Sequence, residues 1–324
     1  MNIGFIGAGR IANTLASTMA RMEDVNLYAV AARDLNRAQA FAAQYGFDKA
    51  YGSYEEMLRD PNVELVYIAT PHSHHAEHMK LCIEHGKNIL CEKAFTLNAA
   101  QARQIAALAK AKGVYVAEAI WTRYMPSRAM IDEVLASGII GNVTALTATL
   151  CYPVAYKERC IRPELAGGAL LDVGVYCLNF ALMHFGDDIE RMDSSVRMTD
   201  TGVDGQEFIT LHYRDGKIAV LTAGILSRSD RKGIFYGDKG YIIVENINNP
   251  QSISVYDLTD TLVKKLEVPA QITGYEYQIR EAMARIRAGK IEAASMPLAE
   301  SIAVMERMDA LRKDWGLIYP MEQQ

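Results

Sequence analysis

From Asn2 to about Ala119, short runs rich in Val, Ile and Leu alternate with amphipathic stretches. The runs NIGFI, VNLYAVAA, ELVYIA, KNILC and VYVAEA predict strands with helices between them, the order of a parallel sheet built from βαβ units. Because the runs are continuously apolar, both faces of the sheet are expected to lie under helices. Local signals set the helix ends. Asp34 is placed to cap DLNRAQAFAAQYG, which Gly46 stops, and SYEE, from Ser53 to Glu56, has the form of a capping box. A further helix is expected from about Thr96 to Lys112, ended by Gly113.

After Glu118 the period changes. A helix around Ser127 to Ala136 leads into NVTALTATLCY, and a long helix beginning near Gly168 follows. Then come alternating runs such as EFITLHY, KIAVLTAG and GYIIVEN, joined by short turns such as RDGK and GDKG, which require antiparallel neighbours. Two helices, near Tyr275 to Ala288 and Pro297 to Trp315, close the chain. The predicted fold is an α/β, doubly wound first domain, 1–120, and an α+β second domain, 121–324, with a large, mainly antiparallel open sheet. No internal repeat or low-complexity linker interrupts it.

The first turn carries candidate chemistry. In GFIGAGRIANTLA, Gly7, Gly9 and Ala12 have the GxGxxA spacing, directly after a strand and opening a helix. Gly7 permits the tight turn, Gly9 lets backbone approach a pyrophosphate, and Ala12 allows close helix packing. With Arg10 and Ile11 between them, these residues offer a helix N-terminus to phosphate, so the first domain is expected to bind a dinucleotide. The second strand ends AVAARDLNR, with Ala32 where a ribose-binding acid is expected and Arg33 next. Arg33 with Arg37 suits the 2′-phosphate of NADP. The alternative, NAD held by Asp34, competes with the capping role of Asp34.

Composition narrows the partners. At 324 residues the length fits two domains of roughly 150 residues each. The 34 basic and 39 acidic residues give a net charge of −5, so no basic field holds nucleic acid or an anionic membrane. The longest apolar candidate, GALLDVGVYCLNFALMHFG, is interrupted by Asp172 and Asn179, which argues against a membrane span. A strand starting at Asn2 leaves no room for a signal peptide, and five widely spaced cysteines fit reduced thiols, so a cytoplasmic location is expected.

GFIGAGRIA, ATPHSHHAEH, GKNILCEKA, EAIWTRYMP and GGALLDVGVY occur in an order that resembles the Gfo/Idh/MocA oxidoreductases, in particular the branch of dihydrodiol, xylose and glucose-fructose oxidoreductases. The resemblance covers nearly the whole chain. It implies that Glu92 and Lys93 match a Glu-Lys-Pro motif whose lysine faces substrate and nicotinamide, with Ala94 replacing the proline. It also implies that the loop of Thr70, Pro71 and His72 borders the cofactor, and that His75 matches a recurrent histidine. Independently, ligands of open α/β sheets bind beyond the carboxyl ends of the strands, where Lys93 falls.

By helical spacing Leu171, Val175, Leu178 and Leu182 form a buried stripe, while Asp172, Tyr176 and Asn179 form another. In the branch named above, the Asp and Tyr matching Asp172 and Tyr176 line the active site. Hydride transfer leaves one proton for the protein to manage. A tyrosine with a pKa near 10 needs a nearby ammonium to act as base at neutral pH. The expected acid/base is therefore Tyr176, assisted by Lys93, with Asp172 orienting Lys93 or a substrate hydroxyl. Glu92 is expected as a supporting or cofactor contact.

Trp121 and Arg123 are candidate substrate contacts, with domain packing the competing role for Trp121. Arg159 and Arg162 could reach a polyhydroxyl or anionic substrate. His74 and His78 have the i, i+4 spacing of a metal pair, but no further ligand pattern completes a site, and no metal is expected. The expected activity is an NADP-dependent dehydrogenase, with NAD as second choice, acting on a sugar, polyol or trans-dihydrodiol. In related proteins the second-domain sheet packs on a copy of itself, so a homodimer is expected. The rival readings are a silent NADP-binding regulator and a glycosidase using transient oxidation by NAD.

Overall fold

The five apolar runs at the start of the chain all form strands, and a computed structural model describing residues 1–323 adds one the pattern did not reveal. The strands are β1 (Asn2–Ile6), β2 (Asn26–Ala31), β3 (Lys49–Tyr51), β4 (Leu65–Ile68), β5 (Asn88–Glu92) and β6 (Val116–Ala119). They pair in parallel in the order β3-β2-β1-β4-β5-β6. The unrevealed strand is β3, three residues long and not fully buried, too short and too polar to register as an apolar run.

Five helices join these strands: α1 (Arg10–Met19), α2 (Leu35–Tyr45), α3 (Tyr54–Arg59), α4 (His75–Glu84) and α5 (Ala99–Lys112). Asp34 caps α2 by accepting from the Asn36 amide at 2.9 Å, as its position predicts. Ser53 makes no side-chain cap, so the expected capping box is absent; Glu55 and Glu56 still place negative charge at the positive end of this short helix. α5 starts three residues later than expected. Asn98 is the better cap, accepting from the Gln101 amide at 3.0 Å, while the Thr96 hydroxyl donates to the Asn98 carbonyl.

The chain divides into two compact units that differ from a single cut at residue 120. The first joins Met1–Tyr124 to Gln271–Glu306, and the second joins Met125–Ala270 to the chain from Arg307 onward. Residues 271–306 return to the first unit because its last strand takes them up: the Val116 amide donates to the Ile291 carbonyl at 3.0 Å. Helix periodicity reveals the helices of this return but not which core they cover.

The second unit holds α6 (Pro126–Ala136), β7 (Val143–Cys151), α7 (Glu158–Ile161) and α8 (Val175–Phe185). Then follow β8 (Ile189–Met198), β9 (Asp204–Tyr213), β10 (Ile218–Gly224), β11 (Gly233–Gly237), β12 (Gly240–Val244), β13 (Ser252–Asp257) and β14 (Leu262–Glu267). Their order is β14-β13-β12-β11-β7-β10-β9-β8, antiparallel at every pair except β7 with β10. The last helices are α9 (Glu276–Arg287), in the first unit, and α10 (Leu298–Trp315). The apolar stretch Pro163–Phe185 is long and hydrophobic enough to cross a membrane, but 94% of its apolar window is buried inside the protein. The five cysteines are all free and buried.

Candidate active site

In the first unit the strand order reverses between β1 and β4, so the carboxyl ends of these strands frame the ligand crevice of an open α/β sheet. Gly7 there has φ +98°, and a Cβ on it would meet the Ala69 carbonyl oxygen at 3.1 Å. Glycine is thus required by both conformation and space. Ala12, fully buried, seats α1 against the sheet. The first turn of α1, with Arg10 and Ile11, contains no acidic residue and no side-chain cap, so its amides point a positive dipole end outward.

Arg33 and Arg37 are both exposed beside this turn. Arg37 Nη2 donates to the Ala8 carbonyl at 2.9 Å, tying the guanidinium to the glycine loop itself. Burial raises the pKa of Tyr54, and the charges of Arg33 and Arg37 oppose that rise, which locates all three at one corner. These residues fit a dinucleotide with an additional phosphate on the ribose.

The loop after β4 runs through Thr70 and Pro71 into a single 3-10 turn, His72–His74, and then α4. His75, fully buried, reaches two strand ends: Nδ1 lies 2.8 Å from the Ala94 carbonyl and Nε2 2.9 Å from the Thr70 carbonyl. Burial lowers its pKa while these carbonyls oppose the shift, so the ring is neutral and its single N–H serves one carbonyl at a time. His74 and His78 stack with ring centroids 5.8 Å apart, and His78 Nδ1 lies 3.0 Å from the Thr70 hydroxyl. Among the described residues no group of three or more His, Cys, Asp or Glu could hold a metal ion.

Lys93, half-buried, follows the last residue of β5, and the Lys93–Ala94 peptide bond is cis. The loop is held on both sides by buried groups. His75 bonds the Ala94 carbonyl, and the Phe95 amide donates to Glu118 Oε1 at 3.0 Å. Glu118 is next to Cys91 in the β5–β6 register; burial raises its pKa to about 7, against the bond from Phe95 and the charge of Arg123. Glu92, also buried, accepts a short hydrogen bond from the Tyr67 hydroxyl, whose pKa is pushed well above the ordinary value by burial and then by the Glu92 charge. Tyr67 therefore remains a donor, and Glu92 is a supporting acceptor at the strand end.

Two candidate substrate residues have protein partners. Trp121 stacks on Tyr275 with ring centroids 4.0 Å apart and planes 11° apart, so one face of the indole is already covered. Arg123 has a side chain only 1% exposed and pairs with Glu300 of α10. It is placed in the interior rather than at a ligand surface, because a buried guanidinium needs a carboxylate and α10 supplies it.

In the second unit the helix predicted from Gly168 begins as a π turn, Leu170–Gly174, and continues as α8. Every residue from Leu170 to Leu182 is buried, so the two expected stripes are not an inside and an outside. Asp172 is 7% and Tyr176 8% exposed. Asp172 accepts both guanidinium nitrogens of Arg159, at 3.0 and 3.2 Å, and its Oδ2 lies 3.5 Å from Cys160 Sγ. Burial opposes the charge of Arg159, yet Asp172 raises its pKa overall, and Tyr176 adds to that rise, which puts phenol, carboxylate and guanidinium in one cluster. Within this unit the partner of Asp172 is Arg159, which sequence spacing cannot connect because the two lie on different elements. Arg162 pairs instead with Glu158 and Glu164 at the surface. Glu118 and Tyr67 were missed in the sequence; an acid within the otherwise apolar VYVAEA was the available signal.

Residues 1–119 match the profile of the GFO/IDH/MocA oxidoreductases with an NAD-binding Rossmann fold, and residues 129–243 match the GFO/IDH/MocA C-terminal domain. The chain is 35% identical over 335 residues to a trans-1,2-dihydrobenzene-1,2-diol dehydrogenase of Mus musculus, covering 98% of each, and 33% identical over 329 residues to that of Danio rerio, covering 99% and 98%. Its fold is shared by a 3-ketoreductase from Actinomadura kijaniata in complex with NADP and TDP-benzene (TM-score 0.89, 23% identity, 97% of each chain). The same holds for an aldose-aldose oxidoreductase from Caulobacter crescentus (TM-score 0.87, 18% identity, 97% and 96%).

Proposed function

The chain belongs to the GFO/IDH/MocA oxidoreductase family, and from that premise we propose that it is an NADP-dependent dehydrogenase acting on a secondary alcohol or hemiacetal of a sugar, polyol or trans-dihydrodiol. The observation that carries this reading is the construction around Lys93. Two buried side chains on separate elements, His75 and Glu118, fix the backbone immediately after it and leave the lysine half-buried at the carboxyl end of β5. A surface lysine needs no such support.

Gly7, Gly9, the first turn of α1 and the loop from Thr70 to His72 would hold the dinucleotide. Bound NADP supplies the hydride acceptor. The chain's own residues manage the proton: Tyr176 is assigned the acid/base role, and the Lys93 ammonium is assigned the stabilisation of developing negative charge. Arg159 orients Asp172 through two hydrogen bonds in the cluster that includes Tyr176, and the carboxylate is assigned to a second substrate hydroxyl. A panel of sugars, polyols and trans-dihydrodiols read at the NADPH absorbance tests the assignment. Cofactor binding without turnover of any of them would favour a regulator.

Cofactor choice is assigned to Arg33 and Arg37, since the carboxylate of Asp34 is engaged as a helix cap. Loss of one charge-assisted contact is worth about 1.5–3 kcal/mol, or roughly 10- to 150-fold. Arg33→Ala is therefore expected to weaken NADP by that factor and to leave NAD affinity nearly unchanged in a fluorescence titration. Equal weakening of both cofactors would remove Arg33 from phosphate recognition.

The assembly assigned to the protein is a homodimer through the open sheet face. Pairing places Phe208, Ile218, Val220 and Tyr236 on one side of β9, β10 and β11, and each is exposed, Phe208 by 53%. A second copy of the chain is the proposed cover for this face. Phe208→Glu combined with Val220→Glu is expected to give a monomer by sedimentation; an unchanged mass would place the interface elsewhere.

A further inference from the structure

The GGALLDVGVY segment contains two glycines that cofactor and substrate chemistry do not explain, and both abut a buried carboxyl group. A Cβ on Gly168, which has φ +120°, would lie 2.1 Å from Asp204 Oδ1, and a Cβ on Gly174 would lie 2.0 Å from Glu207 Oε1. Asp204 and Glu207, both in β9, are fully buried. Asp204 Oδ2 accepts the Leu170 amide at 2.5 Å, at the start of the π turn that carries Asp172. From the C-terminal segment, the buried Tyr319 hydroxyl donates to the Gly167 carbonyl at 2.8 Å, closing the same corner.

The remaining oxygens state the problem. Asp204 Oδ1 and both Glu207 carboxyl oxygens are buried with no N–H or hydroxyl donor. Among the described residues no lysine, arginine or histidine pairs with either group. The titratable groups that face them are the thiols of Cys151 on β7 and Cys177 on α8, and the Tyr319 phenol. Burial holds the Cys177 thiol and the Tyr319 phenol well above their ordinary pKa values, so neither brings a charge to the pair. Two adjacent carboxylates in such surroundings cannot both ionise, and a proton kept on one of the carboxyls gives the other a donor.

We infer that Asp204 and Glu207 share a single proton, Glu207 donating to Asp204, and that the singly charged pair is a positioning device for the helix start that presents Asp172 and Tyr176. The negative charge on Asp204 faces the Leu170 amide, where the helix dipole favours it. Glycine at 168 and 174 lets the pair approach the helix backbone. Burial, followed by the Asp204 charge, holds the Glu207 pKa well above the ordinary carboxyl value. The functional half of this inference rests on the proposed roles of Asp172 and Tyr176; the shared proton does not.

The sign of the linkage follows. Unfolded Glu207 loses its proton near about pH 4.3, whereas folded Glu207 keeps it, so the folded state loses relative stability as pH rises above that value. Glu207→Gln retains a donor to Asp204 but cannot ionise. It is expected to fold, to turn over within about twofold of the parent, and to lose the Glu207 component of the protonated-carboxyl infrared signal expected of the parent at pH 8, above the Glu118 value of about 7. Its Tm is expected to gain progressively on the parent from about pH 5 to pH 8. Glu207→Ala, which removes the donor, is expected to lower kcat by about tenfold with unchanged NADP affinity. Parallel Tm curves together with an infrared signal that Glu207→Gln leaves unchanged would overturn the shared proton. An unchanged kcat in Glu207→Ala would overturn the positioning role. If Tyr176→Phe stays active while Glu207→Gln still loses that component, the failure lies in the proposed catalytic roles, and the proton pair stands.

Discussion

Tyr176→Phe is expected to lower kcat by about 10² or more while NADP affinity stays nearly unchanged. The substitution removes one oxygen and keeps the ring. Tyr176 is 8% exposed on a helix whose neighbours are all buried, so the phenyl ring fills the same space and α8 retains its packing. The dinucleotide residues Gly7, Gly9, Arg33 and Arg37 belong to the other unit, which is why cofactor binding is expected to be insensitive. The measurement is steady-state turnover with the best substrate of the panel, alongside a cofactor titration. Turnover close to that of the parent would take the proton-transfer role away from Tyr176.

Lys93→Met is the second large effect. A methionine keeps much of the side-chain bulk and loses the ammonium, and with it the charge proposed to stabilise the reacting oxygen. A drop in kcat of about 10² or more is expected. The backbone should survive the change, because His75 and Glu118 bond the Ala94 carbonyl and the Phe95 amide directly. Circular dichroism and NADP binding close to those of the parent, with turnover lost, would match this expectation. Turnover retained would mean that the supported loop serves a purpose other than presenting Lys93.

The first unit was largely legible as a pattern because its signals are local. A strand buried on both faces must be continuously apolar, a capping aspartate must sit at a helix start, and Gly7 must tolerate φ +98°; each constraint acts within a few residues. β3 escaped because its three residues are recruited by pairing with β2 rather than by their own composition. Arg123, expected as a substrate contact, is buried and pairs with Glu300, which lies far along the chain.

The sequence by itself determined the two fold classes, the nucleotide turn, the place of Lys93 at a strand end and the presence of Asp172 and Tyr176 on one helical stretch, because signals local to each stretch fix them. Tertiary structure alone decided what lies beside each of these groups. It brought Arg159 to Asp172, Glu118 and His75 to the loop of Lys93, residues 271–306 back to the first sheet, and Asp204 with Glu207 to the glycines of the helix start. The physical reason is that a buried charge or amide must find a partner wherever the folded chain supplies one, and sequence spacing does not encode that distance.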